Sequence, residues 1–330
     1  MDLVAEPETP VVESFVRDPE LEAFKRDPSV REDAARRMLA RALSSFRVFV
    51  TEVMGFDGTR GLSQRQRAAG MRAMGADGVD FTDPAYNPVW SWFEKARTRS
   101  SLLMLPRFTG KSTLIALWVL WLGLKNPNIR IGLIGWDFEA AASILSMVRR
   151  WMSADAKGDL RKVFGRFGRL PPMVKPGEKA WGREDYLDFP GKTAVSRDHT
   201  VTAIGMGEAS EGGHFEIVIL EDLVNRVSSQ TREGVEAVKR FVRLASGLGM
   251  TIQDEYGNVI GTAPKIMVGT PWDLDDAYMD AIRSADEQAK EGKEPSWNVV
   301  RLQARLPRHV PKMIEGPDGV RMTVTVTEYD

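Results

Sequence analysis

Short, almost wholly apolar runs alternate along this chain with longer helical patterns, and that alternation restricts the fold more than any other feature. SLLML (101–105), IRIGLIGW (129–136), TVTAIGM (200–206), EIVILED (216–222) and KIMVGT (265–270) read as strands. Between them stand KSTLIALWVLWLGL (111–124), which is apolar all round, FEAAASILSMVRRWM (138–152) behind a plausible Asp137 cap, and a helix expected from about Thr231 to Ala245. Near-continuous apolar strands separated by helices belong to a mostly parallel sheet with helices on both faces, since such strands have no side to give to water.

Upstream, Ser29 and Glu32 form a capping-box pattern ahead of apolar residues from Met38 to Val53, predicting an amphipathic helix that ends near Gly55. A short helical piece is expected around Gln64 to Met74. The expected organisation is therefore a helical N-terminal region over residues 1–95 with a disordered start and an α/β domain over 96–305, carrying a polar insertion at 155–199. Residues 306–330 are expected to be an extension or the start of a linker. TIQDEYGNVIG reads as two short strands around a turn.

Composition narrows the chemistry by exclusion. Cysteine is absent and the three histidines, His199, His214 and His309, are far apart in sequence, which excludes disulfides and thiolate zinc sites. Any metal should be a hard cation held by oxygen. No run of about 18 uncharged apolar residues is present and the first residues are acidic, so neither a membrane span nor a signal peptide is expected. With 45 basic against 46 acidic residues, global charge gives no case for nucleic acid. Locally, residues 157–179 carry Lys157, Arg161, Lys162, Arg166, Arg169, Lys175 and Lys179 against Asp159 and Glu178, a basic surface expected to face DNA if the chain binds it.

LPRFTGKST (105–113) is nearly the phosphate-loop pattern G-x-x-x-x-G-K-[S/T], with Leu105 where the first glycine belongs. The remaining parts of a phosphate cradle are present: a strand delivering the loop, a permissive Gly110, Lys111 for the β- and γ-phosphates, Ser112 for Mg²⁺, and a helix N-terminus behind them. Pro106, Arg107, Phe108, Thr109, Gly110, Lys111, Ser112 and Thr113 are the expected ATP-binding residues. About 110 residues on, the strand EIVILED ends in Glu221 and Asp222, one acid for Mg²⁺ and one for the attacking water. Ser112 and Glu221 are the expected metal ligands. Thr270, at the end of KIMVGT, is expected beside the γ-phosphate as a sensor. The order of these motifs predicts an ASCE-type P-loop NTPase fold, with a further strand between the two principal motifs.

PRFTGKST resembles the phosphate loop of phage terminase large subunits, in which an arginine commonly precedes G-K-[S/T] and the first glycine is often missing. GEASEGGHFEIVILEDLV resembles their glycine- and histidine-containing segment running into a double-acid Walker B motif, and IMVGTPWDLDD their coupling motif. The likeness spans about residues 100–305. It implies an ATPase that moves double-stranded DNA into a procapsid as a homo-oligomeric ring. That ring would work with a portal protein and a small terminase subunit, in the host cytoplasm and transiently at the portal vertex. It also implies that Arg107 stabilises charge developing on the γ-phosphate, so that Arg107, Glu221, Asp222 and Thr270 form the catalytic set. Glu221 stands where an Asp is common in the family and Asp222 where a Glu is frequent, which leaves the division of roles between them open. Such subunits usually also carry a ribonuclease-H-like nuclease. The carboxylates after Thr270 do not make one, so this chain is expected to hydrolyse ATP without cutting DNA. A helicase-like or other P-loop translocase, or a non-hydrolysing assembly scaffold, are the alternative readings.

Overall fold

The computed structural model describes residues 28–56, 81–82, 84–106, 109–153, 159–173, 181–195, 198–208, 214–253, 259–270, 275–302, 307–315 and 321–329. The expected helical piece at Gln64 to Met74 lies outside them.

The chain opens with helix α1 (Pro28–Ser44). It begins two residues earlier than the capping-box pattern predicts, because proline suits a first helical turn and Ser29 falls inside that turn. Nor does α1 run on to Gly55. Ser45 adopts an extended conformation, and its Oγ accepts the Val48 N–H at 3.3 Å, restarting the chain as a short turn Phe46–Val48 and a π-helical Phe49–Val53. Helix α2 (Asn87–Ala96) follows, with proline again in its first turn.

The domain core then unfolds in the expected order: β1 (Ser101–Met104), α3 (Lys111–Lys125), β2 (Ile131–Gly135), α4 (Phe138–Ser153), a short α5 (Leu160–Phe164), β3 (Tyr186–Leu187), β4 (Val201–Gly205) and β5 (Ile217–Glu221). After these come α6 (Arg232–Leu244), the pair β6 (Thr251–Gln253) and β7 (Val259–Thr262), β8 (Lys265–Gly269), α7 (Ala277–Lys290) and β9 (Asn298–Arg301). Thr231 caps α6 through the Gly234 N–H, and Asp276 caps α7 through the N–H groups of Tyr278 and Met279. A separate antiparallel pair, β10 (Pro307–Glu315) with β11 (Arg321–Tyr329), completes the described chain.

Among the described residues seven strands form one sheet in the order β3-β4-β2-β5-β8-β1-β9, every pairing parallel except β3 with β4. The sheet alternates its side chains strictly between two cores. Leu103, Ile131, Leu133, Ile217, Ile219, Ile266 and Val268 face α3, α4 and the N-terminal helices, whereas Leu102, Met104, Ile134, Val218, Leu220 and Met267 face α6 and α7. Both faces are thus covered by helices, and β8 lies between the phosphate-loop strand β1 and the acid-bearing strand β5. This is the ASCE-type P-loop arrangement.

Helix α3 is apolar all round because it is enclosed on all sides. Leu114 to Leu124 are buried without exception, between the sheet and an aromatic layer from the N-terminal region. Phe93 sits 4.7 Å from Phe46 and 5.4 Å from Trp118, ring centre to ring centre, and the Trp121 indole donates to the Ala42 carbonyl at 2.7 Å. One continuous core therefore includes α1, α2 and the first face of the sheet.

The insertion departs from its expected form. It returns to the sheet as the edge strand β3, and Leu160, Val163, Phe164, Leu187 and Phe189 are buried in the same core. Two of its arginines are internal braces. The Arg161 guanidinium donates to the carbonyls of Pro171 and Met152, and Arg169 donates to that of Leu124. Lys162 and Arg166 are exposed, and Lys162 pairs with Asp159 at 2.7 Å. Lys157, Lys175 and Lys179 lie outside the described residues.

Candidate functional site at the carboxyl ends of β1, β5 and β8

Leu105 explains the missing first glycine. It is fully buried, and its N–H donates to the Gly269 carbonyl at 3.1 Å, so the position extends β1 rather than turning away from it. A side chain that fills the core suits an extended residue better than glycine does. The loop begins at Pro106 and closes where the Thr109 hydroxyl donates to the Pro106 carbonyl at 2.7 Å. Arg107 and Phe108 lie outside the described residues. Gly110 then adopts φ 73°, a left-handed conformation in which a side chain would be strained, and serves as the N-cap of α3 without a side-chain cap. The first helical bond runs from Leu114 to Gly110, so the N–H groups of Lys111, Ser112 and Thr113 precede it and remain available at the positive end of the helix.

Consecutive residues of an extended strand point to opposite faces, yet Glu221 and Asp222 both meet the loop. The backbone resolves this at Asp222, which has φ 47° while its N–H still donates to the Val268 carbonyl at 2.9 Å. Aspartate is one of the few residues that tolerates this region, and the turn re-aims its carboxylate. Ser112 Oγ donates to Glu221 Oε1 at 2.7 Å, and Lys111 Nζ forms an ion pair with Asp222 Oδ1.

The two acids differ in environment. Glu221 is only 4% exposed, and burial, then the neighbouring Asp222 charge, pushes its pKa from 4.5 up to about 7 against the opposing pull of Lys111 and the Ser112 hydroxyl. Asp222 is the wetter partner, its side chain 41% exposed beside a Lys111 that is 10% exposed. A buried carboxylate destabilised by a second acid, with a hydroxyl oxygen at hand, suits a hard divalent cation. Among the described residues no cluster of three or more His, Cys, Asp or Glu could form an all-protein metal cage. The donor set fits the Mg²⁺ mode, in which one or two protein oxygens are joined by substrate phosphates and water.

Thr270 sits at the exit of β8, and its hydroxyl donates to the Leu105 carbonyl at 3.0 Å, tying that exit to the start of the loop. Two tyrosines that no motif marks also reach the site. Tyr86 donates its hydroxyl to the Thr109 carbonyl at 2.8 Å. Tyr278 is fully buried beneath Gly269 and accepts the Val224 N–H at 3.4 Å; burial, then the charge of Asp222, holds its hydroxyl pKa well above the ordinary tyrosine range. Neither has a sequence signal, because each acts through a backbone group far away in the chain. His214 of the glycine- and histidine-containing segment is exposed, and residues 209–213 lie outside the described set. Among the described residues no helix is long and apolar enough to cross a membrane.

No family model and no curated protein matches this chain. Among solved structures it is similar to a mutant of the large terminase ATPase domain of Thermus phage P74-26. The match covers 73% of this chain and 85% of that one, at 12% identity and a TM-score of 0.34, and at this distance it transfers no residue role.

Proposed function

We propose that this chain is a magnesium-dependent ATPase, and that it is the motor part of a phage terminase large subunit that moves double-stranded DNA into a procapsid. The observation that carries the ATPase reading is the meeting of Lys111 and Ser112 with Asp222 and Glu221, residues about 110 apart in sequence that converge at the carboxyl ends of two strands. The terminase reading rests on the ordered motifs of the sequence.

In this proposal the N–H groups at the start of α3 donate to phosphate oxygens, and Lys111 exchanges Asp222 for the β- and γ-phosphates. The bond from Ser112 to Glu221 supports giving that pair to the cation, and the greater exposure of Asp222 supports giving it the orientation and deprotonation of the attacking water. A bound Mg²⁺ would supply charge neutralisation on the phosphates. Arg107 stabilises the charge that develops on the γ-phosphate, and Thr270 reports the state of that phosphate to β8. Double-stranded DNA, a portal protein, a small terminase subunit and further copies of this chain in a ring are the proposed partners, in the host cytoplasm.

Steady-state hydrolysis of MgATP tests the reading. Lys111→Ala and Asp222→Asn should each lower turnover by about 100-fold or more while leaving the urea-unfolding midpoint near that of the parent chain. Absence of turnover in the parent, or parent-like turnover in either variant, would refute it. Stimulation by duplex DNA without strand separation is expected of the packaging motor, whereas unwinding would favour a helicase-type translocase.

A further inference from the structure

We propose that Tyr86 is a positioning residue that holds the phosphate loop in its anion-binding form, so that the N-terminal helical region sets nucleotide affinity; this rests on the ATPase reading above. The contact joins two parts of the chain 23 residues apart, from the Tyr86 hydroxyl to the Thr109 carbonyl at 2.8 Å. A planar trans peptide directs its C=O and N–H to opposite sides. Holding the Thr109 carbonyl toward Tyr86 therefore directs the Gly110 N–H the other way, to the side where a bound phosphate would lie. Gly110 alone does not ensure this orientation, because a glycine that can adopt φ 73° can adopt many other conformations as well.

The mount that carries the hydroxyl is rigid. Tyr86 is 9% exposed, and its ring stands perpendicular to that of Phe81 with centres 5.1 Å apart. The Phe81 N–H donates to the Phe56 carbonyl and the Phe56 N–H to that of Val50, each at 3.1 Å, while the Phe56 ring packs on Trp151 of α4. The hydroxyl is thus referenced to the body of the domain through contacts that do not pass through the loop. A loop fixed from within, by Thr109 Oγ1 on Pro106, and from outside, by Tyr86, has its donors arranged before the ligand arrives, which lowers the ordering cost of binding.

Tyr86→Phe removes the hydroxyl and keeps the ring. The expected result is a rise of about fivefold in the Kd of ADP and in the KM for ATP, the size of one neutral hydrogen bond, with kcat changed less than twofold. Pyrophosphate, used as a competitive inhibitor, should lose affinity by the same factor, because the effect resides in the phosphate cradle; a Tyr86 that touched only base or sugar would leave pyrophosphate unchanged. Hydrogen exchange of the 105–113 segment without nucleotide should accelerate in the variant, a measurement that needs no ligand. Unchanged ADP and pyrophosphate affinities, or unchanged exchange, in a parent that does hydrolyse ATP would overturn this inference and leave the ATPase reading standing. A parent that neither binds nor hydrolyses ATP would overturn both.

Discussion

Gly269→Ala is the substitution whose cost the structure defines most sharply. A methyl group at Gly269 would stand 2.1 Å from Tyr278 Oη, 2.3 Å from Cζ and 2.6 Å from Cε2. Carbon atoms rest at about 3.5–4.0 Å, so the ring must retreat by more than about 1 Å. It has nowhere to go, since Tyr278 is 1% exposed and packed in the second core with Leu223, Val224 and Met267. Overpacking of this kind costs about 1–3 kcal/mol, and three clashing atoms on one immobile ring place the expected value near 3 kcal/mol. Gly269 also accepts the Leu105 N–H, so displacement of β8 should pass to the phosphate loop and weaken nucleotide binding as well. Urea unfolding followed by tryptophan fluorescence reads the stability term, and a double-mutant cycle with Tyr278→Ala isolates its cause. With the ring gone the methyl has room, so the double variant should be more stable than the sum of the single effects by about 1 kcal/mol or more. Additive costs, or a Gly269→Ala variant within about 0.5 kcal/mol of the parent, would refute the steric argument.

Three further outcomes follow from the insertion. Asp188 accepts from Lys192 at 2.6 Å, His199 at 2.7 Å and the Thr200 N–H at 3.0 Å; burial works to raise its pKa, and these bonds outweigh it and hold the carboxyl below the ordinary 3.8. Because a depressed folded-state pKa contributes stability above the unfolded value and loses it as pH falls through the folded one, Asp188→Asn should cost about 1 kcal/mol at neutral pH after allowance for its partial exposure. The gap in urea midpoint should close below about pH 4. Arg161→Met and Arg169→Met should each destabilise the fold by about 1–3 kcal/mol, by stranding carbonyl acceptors, and leave any salt dependence of duplex binding unchanged. Replacing both Lys162 and Arg166 by Ala should instead flatten the plot of log K against log salt by about 2 if both touch phosphate, and an unchanged slope would remove this face from the proposed DNA path.

The residues that announce themselves in sequence are those whose neighbours in the chain share their task. The five apolar runs become strands because every position in them has a core to enter, and G-K-S and E-D stand at strand ends because the chemistry needs a loop and a turn there. The form of the insertion is hidden in the sequence for the opposite reason. Tyr186–Leu187 is too short to show a period of two, and a count of positive charges does not distinguish Lys162, in solvent, from Arg161, clamped onto Pro171 and Met152. Leu105 shows the same limit in miniature: a departure from the loop pattern is an ordinary core residue once its pairing with Gly269 is known. Tyr86 and Tyr278 are invisible because their targets are backbone groups, which carry no residue signature at all.

Successive carbonyls of β8 hold the two halves of the site: Val268 takes the Asp222 N–H and Gly269 takes the Leu105 N–H. The distance from the acids to the loop is consequently gauged by one dipeptide, whatever length of chain separates the halves. Surface segments between α3 and β5 can lengthen in evolution at an entropic cost that rises only with the logarithm of loop length, and the gauge stays where it is. One residue added between Val268 and Gly269 would carry one half past the other by a full step of about 3.3 Å and part Ser112 from Glu221. Natural variants of this chain should therefore vary in the length of the surface segments between α3 and β5 and not in that of β8.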